Sequence, residues 1–177
     1  SDLEEFCEKA QLLNIEVMKG MYEAWNDKMW NDAAGILIWM SHPAYPSFVW
    51  QTYDYYYDPT GAYWGAKKAC EHLHIQWNSS NNSIKAVNTT AEDLEGATAQ
   101  ATIYNLNGKE MAAYGQTKQI DVPASNIAEA FTLNFNPFNL AFGKDAVASS
   151  ATSSRRLTGI QNSCVNTHLL TGCRNSP

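Results

Sequence analysis

The sequence predicts an α+β chain in two parts: a helix–strand–helix segment of the kind that repeats in a (β/α)8 barrel, followed by an antiparallel β-sandwich. Two changes of composition along the chain predict this order. All six tryptophans fall before residue 78, whereas short polar and apolar runs alternate from there to about residue 135. With 177 residues, the chain is too short for a complete eight-stranded barrel, which takes about 250 residues.

The first element is a helix that ends near residue 26. Its apolar residues recur at spacings of three and four, which places them on one face. That face comprises Leu3, Phe6, Ala10, Leu13 and Val17. Ser1 or Asp2 can cap the N-terminus, and the acidic residues Glu16 and Glu23 are expected on the solvated face.

A short apolar run at residues 35–40 follows the helix. A run that is apolar on both faces predicts a strand buried in a parallel sheet, and a helix followed by such a strand is half of a barrel repeat. Pro43 and Pro46 then make the next segment irregular. Asp58-Pro59-Thr60-Gly61 signals a turn before a second helix at residues 62–73.

From residue 74 onward the pattern predicts strands, with no helical period between them. They fall at residues 74–77, 84–89, 97–106, 109–122 and 128–135, with a hairpin signal at Asn107-Gly108. Evenly spaced strands of this kind predict an immunoglobulin-like antiparallel sandwich over residues 74–138. Residues 139–177 are expected to form an irregular tail, whose opening weakly resembles a discoidin-like domain.

Charge and cysteine spacing exclude several classes of partner. The net charge of -6 argues against nucleic acid, because duplex binding needs clustered Lys and Arg. No apolar run reaches the roughly 18 residues of a membrane span, so no membrane partner is expected. The cysteines, Cys7, Cys70, Cys164 and Cys173, include no C-x-x-C pair, which predicts no metal and no cofactor. Cys7 and Cys70 are expected as free thiols, and a disulfide between Cys164 and Cys173 stays open.

Four blocks of sequence carry a family resemblance. Residues 38–47 with 50–56, then residues 61–71, 74–76 and 87–90, resemble in order and spacing the exo-β-glucosaminidases and β-mannosidases of glycoside hydrolase family 2. The first two blocks match the end of that family's barrel, and the other two match the first strands of the sandwich after it. The resemblance implies a retaining hydrolase of β-linked glucosaminides, mannosides or related glycosides, with a carbohydrate as its partner and a periplasmic or secreted parent protein.

The same resemblance implies that both catalytic glutamates follow the fourth and seventh barrel strands, upstream of Ser1. We therefore assign no catalytic residue and expect the chain alone to be inactive. Relatives usually carry an Asn-rich loop with Trp at position 45. The residues that depart from this pattern, Ser41, His42, Pro43 and Tyr45, change the groups offered to a sugar.

Barrel enzymes build their sites in the loops that follow the strands, so the substrate-binding assignment falls on the loop after residue 38. The assigned residues are Trp39, Ser41, His42 and Tyr45. The two aromatic rings would be apolar walls against a pyranose, and Ser41 and His42 would donate to hydroxyls. Two alternatives stay open, since Trp39 can be a core aromatic and His42 can make a structural hydrogen bond. Asp54 is expected to hold its loop rather than bind sugar.

Two competing interpretations are a non-catalytic carbohydrate-binding sandwich and a purely structural module. The apolar strand at residues 36–40 favours the enzyme, because such a strand needs parallel neighbours that this sequence does not contain. We expect the exposed barrel surface to be covered by the missing barrel half or by self-association.

Overall fold

The computed structural model describes residues 2–47, 50–105, 110–134, 147–154 and 162–165. The chain divides into two compact units, residues 1–72 and residues 73–177. Among the described residues, no helix is both long and apolar enough to cross a membrane. Cys7 and Cys70 are free thiols, as expected, and Cys173 lies outside the described residues.

The first unit contains two helices. Helix α1, Leu3–Asn26, confirms the helix predicted from apolar spacing, and the Asp2 side chain caps it by accepting a hydrogen bond from the Glu5 N–H at 2.9 Å. Helix α2, Gly61–Ala69, ends before the predicted residue 73. Thr60 caps α2, since its hydroxyl accepts from the Ala62 N–H at 3.2 Å.

Two glycines of α2 let the helices approach closely. A Cβ atom at Gly61 would overlap the backbone carbonyl of Gln11, and a Cβ atom at Gly65 would overlap that of Ile15. The Gly61 N–H also donates to Gln11 Oε1 at 2.6 Å. The backbones of α1 and α2 are therefore in direct contact along the first turns of α2.

The side of α1 that is buried is partly polar. Asn26 donates to the Ala69 carbonyl at the end of α2 (2.8 Å), and Lys19 pairs with Glu23 at 3.3 Å, each side chain being 11% exposed. Burial raises the pKa of the Glu16 carboxyl, with a smaller lowering by Lys19 and a smaller raising by Glu23. The expectation that Glu16 and Glu23 lie on a solvated face is therefore wrong. The reason is that α1 packs against α2 through the side opposite its predicted apolar face.

The apolar face of α1 is exposed instead. Leu3 is 71% exposed, and Phe6 and Leu13 are each 62% exposed. The face continues along the helix through Val17, Met21 and Trp25. Contiguous exposed apolar surface of this size is uncommon on monomeric proteins in water.

The buried strand predicted at residues 36–40 is not formed. The segment has no regular secondary structure, and Leu37 is 100% exposed. A strand needs neighbours for its backbone hydrogen bonds, and the described part of this unit offers only the isolated bridges Met29–Ala33 and Tyr53–Pro59.

The second unit forms two antiparallel sheets within the described residues. Its strands are β1 (Leu73–Asn78), β2 (Ser83–Asn88), β3 (Leu94–Asn105), β4 (Gln116–Val122), β5 (Asn126–Thr132), β6 (Val147–Ser154) and β7 (Asn162–Val165). One sheet has the order β1-β2-β5 and the other the order β4-β3-β6-β7.

The first five strands confirm the predicted ones with shifted ends. The largest shift is in β4, because a 3₁₀ turn at Ala112–Tyr114 takes the start of the predicted 109–122 strand. The predicted Asn107-Gly108 hairpin turn lies outside the described residues.

Strands β6 and β7 lie where an irregular tail is expected from the sequence. Strand β6 pairs with β3 from Asn105–Val147 to Thr98–Ser154. Its Ser- and Ala-rich sequence has no apolar alternation, so the hydrogen bonds to β3 and β7, rather than local preference, define it as a strand. The discoidin-like opening of the tail, before β6, lies outside the described residues.

Both sheets contribute to one hydrophobic cluster. It comprises Ile75, Ile84, Ala99, Ala101, Ile103, Ala130, Phe131 and Leu133. Because β1, β2 and β5 belong to one sheet and β3 to the other, the two sheets pack face to face.

Asn88 is a buried polar residue whose side chain links two strands of this unit. It is 0% exposed, and its Nδ2 donates to the carbonyls of Glu92, Val122 and Pro123 at 2.8, 3.1 and 3.2 Å. Its Oδ1 accepts from the Thr90 N–H at 2.9 Å. One amide therefore ties the end of β2 to the end of β4.

Candidate functional site

Three aromatic side chains surround a cavity in the first unit. The cavity has a volume of about 190 Å³ and is lined by Trp39, Tyr45 and Trp50, together with Met40, Pro43, Ala44, Ser47 and Gln51. An apolar cavity of about 150 Å³ holds one benzene molecule. The space therefore suits a single ring-sized group.

Hydrogen bonds to backbone carbonyls hold the two sides of this cavity together. The Trp50 indole Nε1–H donates to the Trp39 carbonyl at 3.2 Å. The Ser41 carbonyl accepts from the Thr52 hydroxyl at 3.0 Å and from the Tyr53 N–H at 2.9 Å. The loop after residue 38 is therefore fixed to the segment 50–53, and the Trp39–Met40 peptide bond within the loop is cis.

Asp54 organises the turn that follows this segment. Its Oδ1 accepts from the backbone N–H groups of Tyr56 (2.8 Å) and Asp58 (2.9 Å), and the Asp54 N–H donates to the Asp58 carbonyl at 3.0 Å. Tyr57 adopts a positive φ of 69° inside the turn. Asp54 therefore holds its loop through these hydrogen bonds, as expected from the sequence.

The structure brings together two of the four residues that the sequence assigns to substrate binding. Trp39 and Tyr45 line the cavity, whereas Ser41 and His42 are not among its lining residues. Ser41 acts through its backbone carbonyl.

His42 makes the structural hydrogen bond that was the open alternative. The Tyr55 carbonyl can only accept a hydrogen bond, so the His42 Nε2–H donates to it, at 3.2 Å. The His42 ring also stacks on Tyr57, with ring centroids 4.3 Å apart. His42 therefore fastens the loop to the Asp54 turn.

The site assignment from sequence missed Trp50 and Gln51. Both follow the Pro-containing loop directly in sequence, and an aromatic residue after such a loop is the one signal that could have found Trp50. Nothing in the sequence indicates that Gln51 would line the same cavity.

The cavity contains no charged lining residue. The groups whose pKa is raised lie on or beside the helices: burial raises the pKa of Glu16, Cys70 and Tyr22, with the Cys70 thiol a second cause for Tyr22. Within the described residues, no three His, Cys, Asp or Glu side chains are grouped so as to hold a metal ion. The arrangement is suited to contact an uncharged ring rather than to transfer protons.

Similar proteins are glycoside hydrolases. The chain is 38% identical over 122 residues to an exo-β-D-glucosaminidase of Amycolatopsis orientalis, an alignment that covers 67% of the chain and 12% of that enzyme. It is 34% identical over 108 residues to a mannosylglycoprotein endo-β-mannosidase of Lilium longiflorum, covering 61% of the chain and 11% of that enzyme. No protein-family model matches the chain.

Solved structures agree with these relatives. The crystal structure of the Amycolatopsis orientalis exo-chitosanase CsxA matches 94% of the chain and 20% of its own length, with a TM-score of 0.77 and 29% identity. A β-D-mannosidase from Dictyoglomus thermophilum matches 87% of the chain with a TM-score of 0.69 and 21% identity, which shows the fold alone.

The described chain is therefore a segment related to glycoside hydrolases, with mixed helices and antiparallel sheets. The relationship is to family 2 of these enzymes, through relatives named exo-β-D-glucosaminidase and mannosylglycoprotein endo-β-mannosidase. The chain spans about an eighth of the length of these sequence relatives.

Proposed function

We propose that the chain is the part of a retaining β-glycosidase that completes the barrel and carries the following immunoglobulin-like sandwich, and that it supplies an aromatic wall of the sugar pocket. Its substrates would be β-linked glucosaminides, mannosides or related glycosides. The observation that carries the proposal is the cavity between Trp39, Tyr45 and Trp50, in a chain 38% identical to an exo-β-D-glucosaminidase over 122 residues.

The cavity has the composition of a small-molecule site. Such sites are lined mainly by apolar and aromatic side chains, with a few polar groups that fix orientation. Trp39, Tyr45 and Trp50 keep 83%, 68% and 58% of their surface exposed, so their rings are accessible to a ligand. An apolar ring face supports binding of the C–H face of a pyranose.

The bond-breaking step is assigned to groups outside this cavity. A retaining glycosidase uses two carboxyl groups about 5 to 5.5 Å apart, and the cavity lining contains no carboxyl group. Of the acidic residues of the first unit, Asp54 is engaged in its turn, and Glu16 and Glu23 lie on α1, which contributes no residue to the lining. The chain thus contributes binding, and the catalytic pair comes from other barrel strands of the same enzyme.

The barrel assignment also accounts for the exposed surfaces of the first unit. Helices of a (β/α)8 barrel pack their apolar faces on the ring of strands. In the whole enzyme, the apolar face of α1 and the segment 36–39 would contact that ring of strands. We assign the rest of that barrel as their partner. Self-association through the same surface is the alternative outcome.

The strand order supports the sandwich assignment for the second unit. A three-stranded sheet, β1-β2-β5, faces a four-stranded sheet, β4-β3-β6-β7. The chain crosses from one sheet to the other after β2, after β4 and after β5, and connections between the two sheets are a feature of immunoglobulin-like sandwiches.

Hydrolysis and binding are tested separately. The purified chain is incubated with an aryl β-glucosaminide and an aryl β-mannoside, and no aryl release is expected. Titration with glucosamine and mannose, followed by tryptophan fluorescence, should give a saturable change. Trp39→Ala and Trp50→Ala should abolish that change. Trp25→Ala, on the exposed face of α1, is the matched control and should leave it intact.

Two outcomes would contradict the proposal. One is hydrolysis by the purified chain that disappears when one of its own acidic residues is substituted. The other is the absence of any sugar-dependent change in a folded chain.

A further inference from the structure

Three Asn-x-Ser/Thr triplets lie in or beside the hairpin formed by β1 and β2. They begin at Asn78, Asn81 and Asn88. In a secreted protein this triplet is the acceptor sequence for an N-linked glycan, and the glycan is accommodated where the asparagine lies on the surface. The three triplets are alike in sequence, but the fold gives their asparagines different surroundings.

Asn88 cannot carry a glycan in the folded chain. It is 0% exposed, and its Nδ2 donates to the carbonyls of Glu92, Val122 and Pro123. A glycan is attached through this same nitrogen, and it would replace one of the two hydrogens that make these bonds. A chain modified at Asn88 could not complete the fold, so the third triplet serves the structure.

Asn81 lies in a different environment. It belongs to the four-residue turn between β1 and β2, and it is exposed. Its Oδ1 accepts from the Ser83 N–H at 3.0 Å and from the Ser83 hydroxyl at 2.8 Å. Both bonds use the side-chain oxygen, so a glycan attached to Nδ2 would leave them in place.

Other contacts hold the backbone of this turn. Asn82 adopts a left-handed conformation with a φ of 58°, which asparagine tolerates better than most residues. The Asn82 carbonyl accepts from the Leu133 N–H at 2.9 Å, and Asn78 Oδ1 accepts from the Ser80 N–H at 2.9 Å. The turn therefore presents Asn81 at the surface without using its amide nitrogen in these bonds.

Asn78 is a poorer acceptor position than Asn81. It is the last residue of β1, where it pairs with Ser83 of β2, and it is half-buried. A bulky group on Asn78 would have to leave from the strand itself, whereas Asn81 lies in the turn beyond the strand ends.

We propose that Asn81 is the acceptor of an N-linked glycan and that Asn78 and Asn88 stay unmodified in the folded chain. The proposal rests on the secreted parent protein that the sequence predicts and is independent of the aromatic cavity. The donor is a polyprenyl diphosphate-linked oligosaccharide of a eukaryotic secretory pathway. Transfer to the emerging chain precedes folding, so the later burial of Ser83 does not prevent it.

The transfer exchanges one bond for another. A bond forms between Asn81 Nδ2 and C1 of the first sugar, while the bond from C1 to the diphosphate oxygen breaks. The polyprenyl diphosphate leaves with the bonding electron pair, and the amide loses one proton to a base of the transferase. The Asn81 side chain keeps its carbonyl oxygen and therefore its role in the turn.

The test is secretion of the full chain from yeast behind a secretion leader, followed by intact-mass measurement and peptide mapping. The secreted chain should carry a single glycan, which peptide-N-glycosidase should remove from the native protein because Asn81 is exposed. Removal in heavy-oxygen water converts the glycosylated asparagine to a labelled aspartate and so identifies it. We expect the label at Asn81.

Three variants separate the triplets. Asn81→Gln should abolish the mass increase, since it removes the acceptor while keeping an amide in the turn. Ser80→Ala destroys the triplet of Asn78, keeps that of Asn81 and should leave the glycan in place. Ser79→Ala, at the exposed middle position of the first triplet, is the control and should change nothing. Circular dichroism of each secreted chain establishes that it is folded.

Translation in the presence of microsomes gives a second measurement that does not require export. Wild type should show a glycan-dependent shift in size, and Asn81→Gln should lose one glycan. A folded, secreted wild-type chain without a glycan would overturn the proposal. So would a label at Asn78 or Asn88 with Asn81 unlabelled, or an unchanged microsomal shift in Asn81→Gln.

Discussion

Gly65 in α2 lies against the backbone carbonyl of Ile15 in α1, so closely that a Cβ atom at position 65 would overlap that oxygen. A backbone oxygen cannot move aside by changing rotamer, so any side chain here must separate the two helices. The packing of the first unit therefore depends on the absence of a side chain at this position.

Gly65→Ala should destabilise the first unit by about 1 to 2 kcal/mol. The helix gains about 1 kcal/mol from the better intrinsic preference of alanine, but the displacement of a packed backbone costs about 1 to 3 kcal/mol or more. Gly20→Ala is the matched control, because Gly20 is also helical and a Cβ atom added there would have no neighbour within 4 Å. It should stabilise by about 0.5 to 1 kcal/mol. Thermal unfolding followed by circular dichroism measures the change in stability for both variants. If both substitutions stabilise the chain, or both destabilise it, the close contact at Gly65 is contradicted.

Asn88→Ala should destabilise the second unit by about 3 kcal/mol, because it removes the donors to three carbonyls in a fully buried place. Asn88→Asp keeps the acceptor for the Thr90 N–H but directs an oxygen at those carbonyls, so it should be no better. Gln119→Ala, at an exposed position of β4, should change stability by less than about 0.5 kcal/mol. Urea unfolding followed by the circular dichroism of the β-sheets reports the three values. A tolerated Asn88→Asp would show that the Nδ2 bonds are unimportant.

Stability of the first unit should fall as pH rises above about 4.5, the ordinary value from which burial raises the pKa of Glu16. Because its pKa is raised in the folded state, the Glu16 carboxyl holds its proton more tightly in the folded chain than in the unfolded chain. Stability is therefore lost as pH rises from the unfolded-state pKa of Glu16 to its folded-state pKa. Glu16→Gln should be more stable than wild type at pH 7 and lose this advantage below pH 4.5. Glu8→Gln, at an exposed position of α1, controls for net charge. Melting temperatures of wild type and Glu16→Gln, measured from below pH 4.5 to pH 7, test this prediction. A stability advantage of Glu16→Gln that does not depend on pH would contradict the raised pKa of Glu16.

The apolar face of α1 should bind a hydrophobic dye and promote association of the isolated chain, because Leu13 and Val17 are exposed. The double variant Leu13→Lys, Val17→Lys should reduce both properties without loss of helix content. Met18→Lys, at the next residue along the helix but only 6% exposed, should unfold the unit instead. Sedimentation and dye fluorescence provide the readouts. A wild-type chain that is monomeric and binds no dye would argue for a self-sufficient module.

The elements of the fold could be predicted where local pattern decides them. Apolar spacing identified α1, and the turn residues identified most of the strand boundaries. The same spacing could not show which face of α1 packs within the unit, since that depends on Gly61 and Gly65 meeting the α1 backbone. The segment at 36–40 has the composition of a strand but lacks neighbours, and composition alone cannot supply the hydrogen bonds.

The candidate site was predictable in part for a similar reason. Trp39 and Tyr45 follow from the position of a loop after an apolar run. Trp50 and Gln51 belong to the same cavity through a tertiary hydrogen bond, Trp50 to the Trp39 carbonyl, which no sequence pattern records. The position of His42 likewise depends on a carbonyl at Tyr55.

The pairing of β3 with β6 sets an order for the folding of the second unit. Strands β1 and β2 are joined by a short turn and can pair as soon as they are synthesised, whereas β6, the second partner of β3 besides β4, lies roughly 50 residues further along the chain than β3. Closing so long a loop is slow and entropically unfavourable. On the ribosome, one edge of β3 therefore waits without its final neighbour until β6 has emerged, and during that interval the nascent chain presents an open strand to other polypeptides.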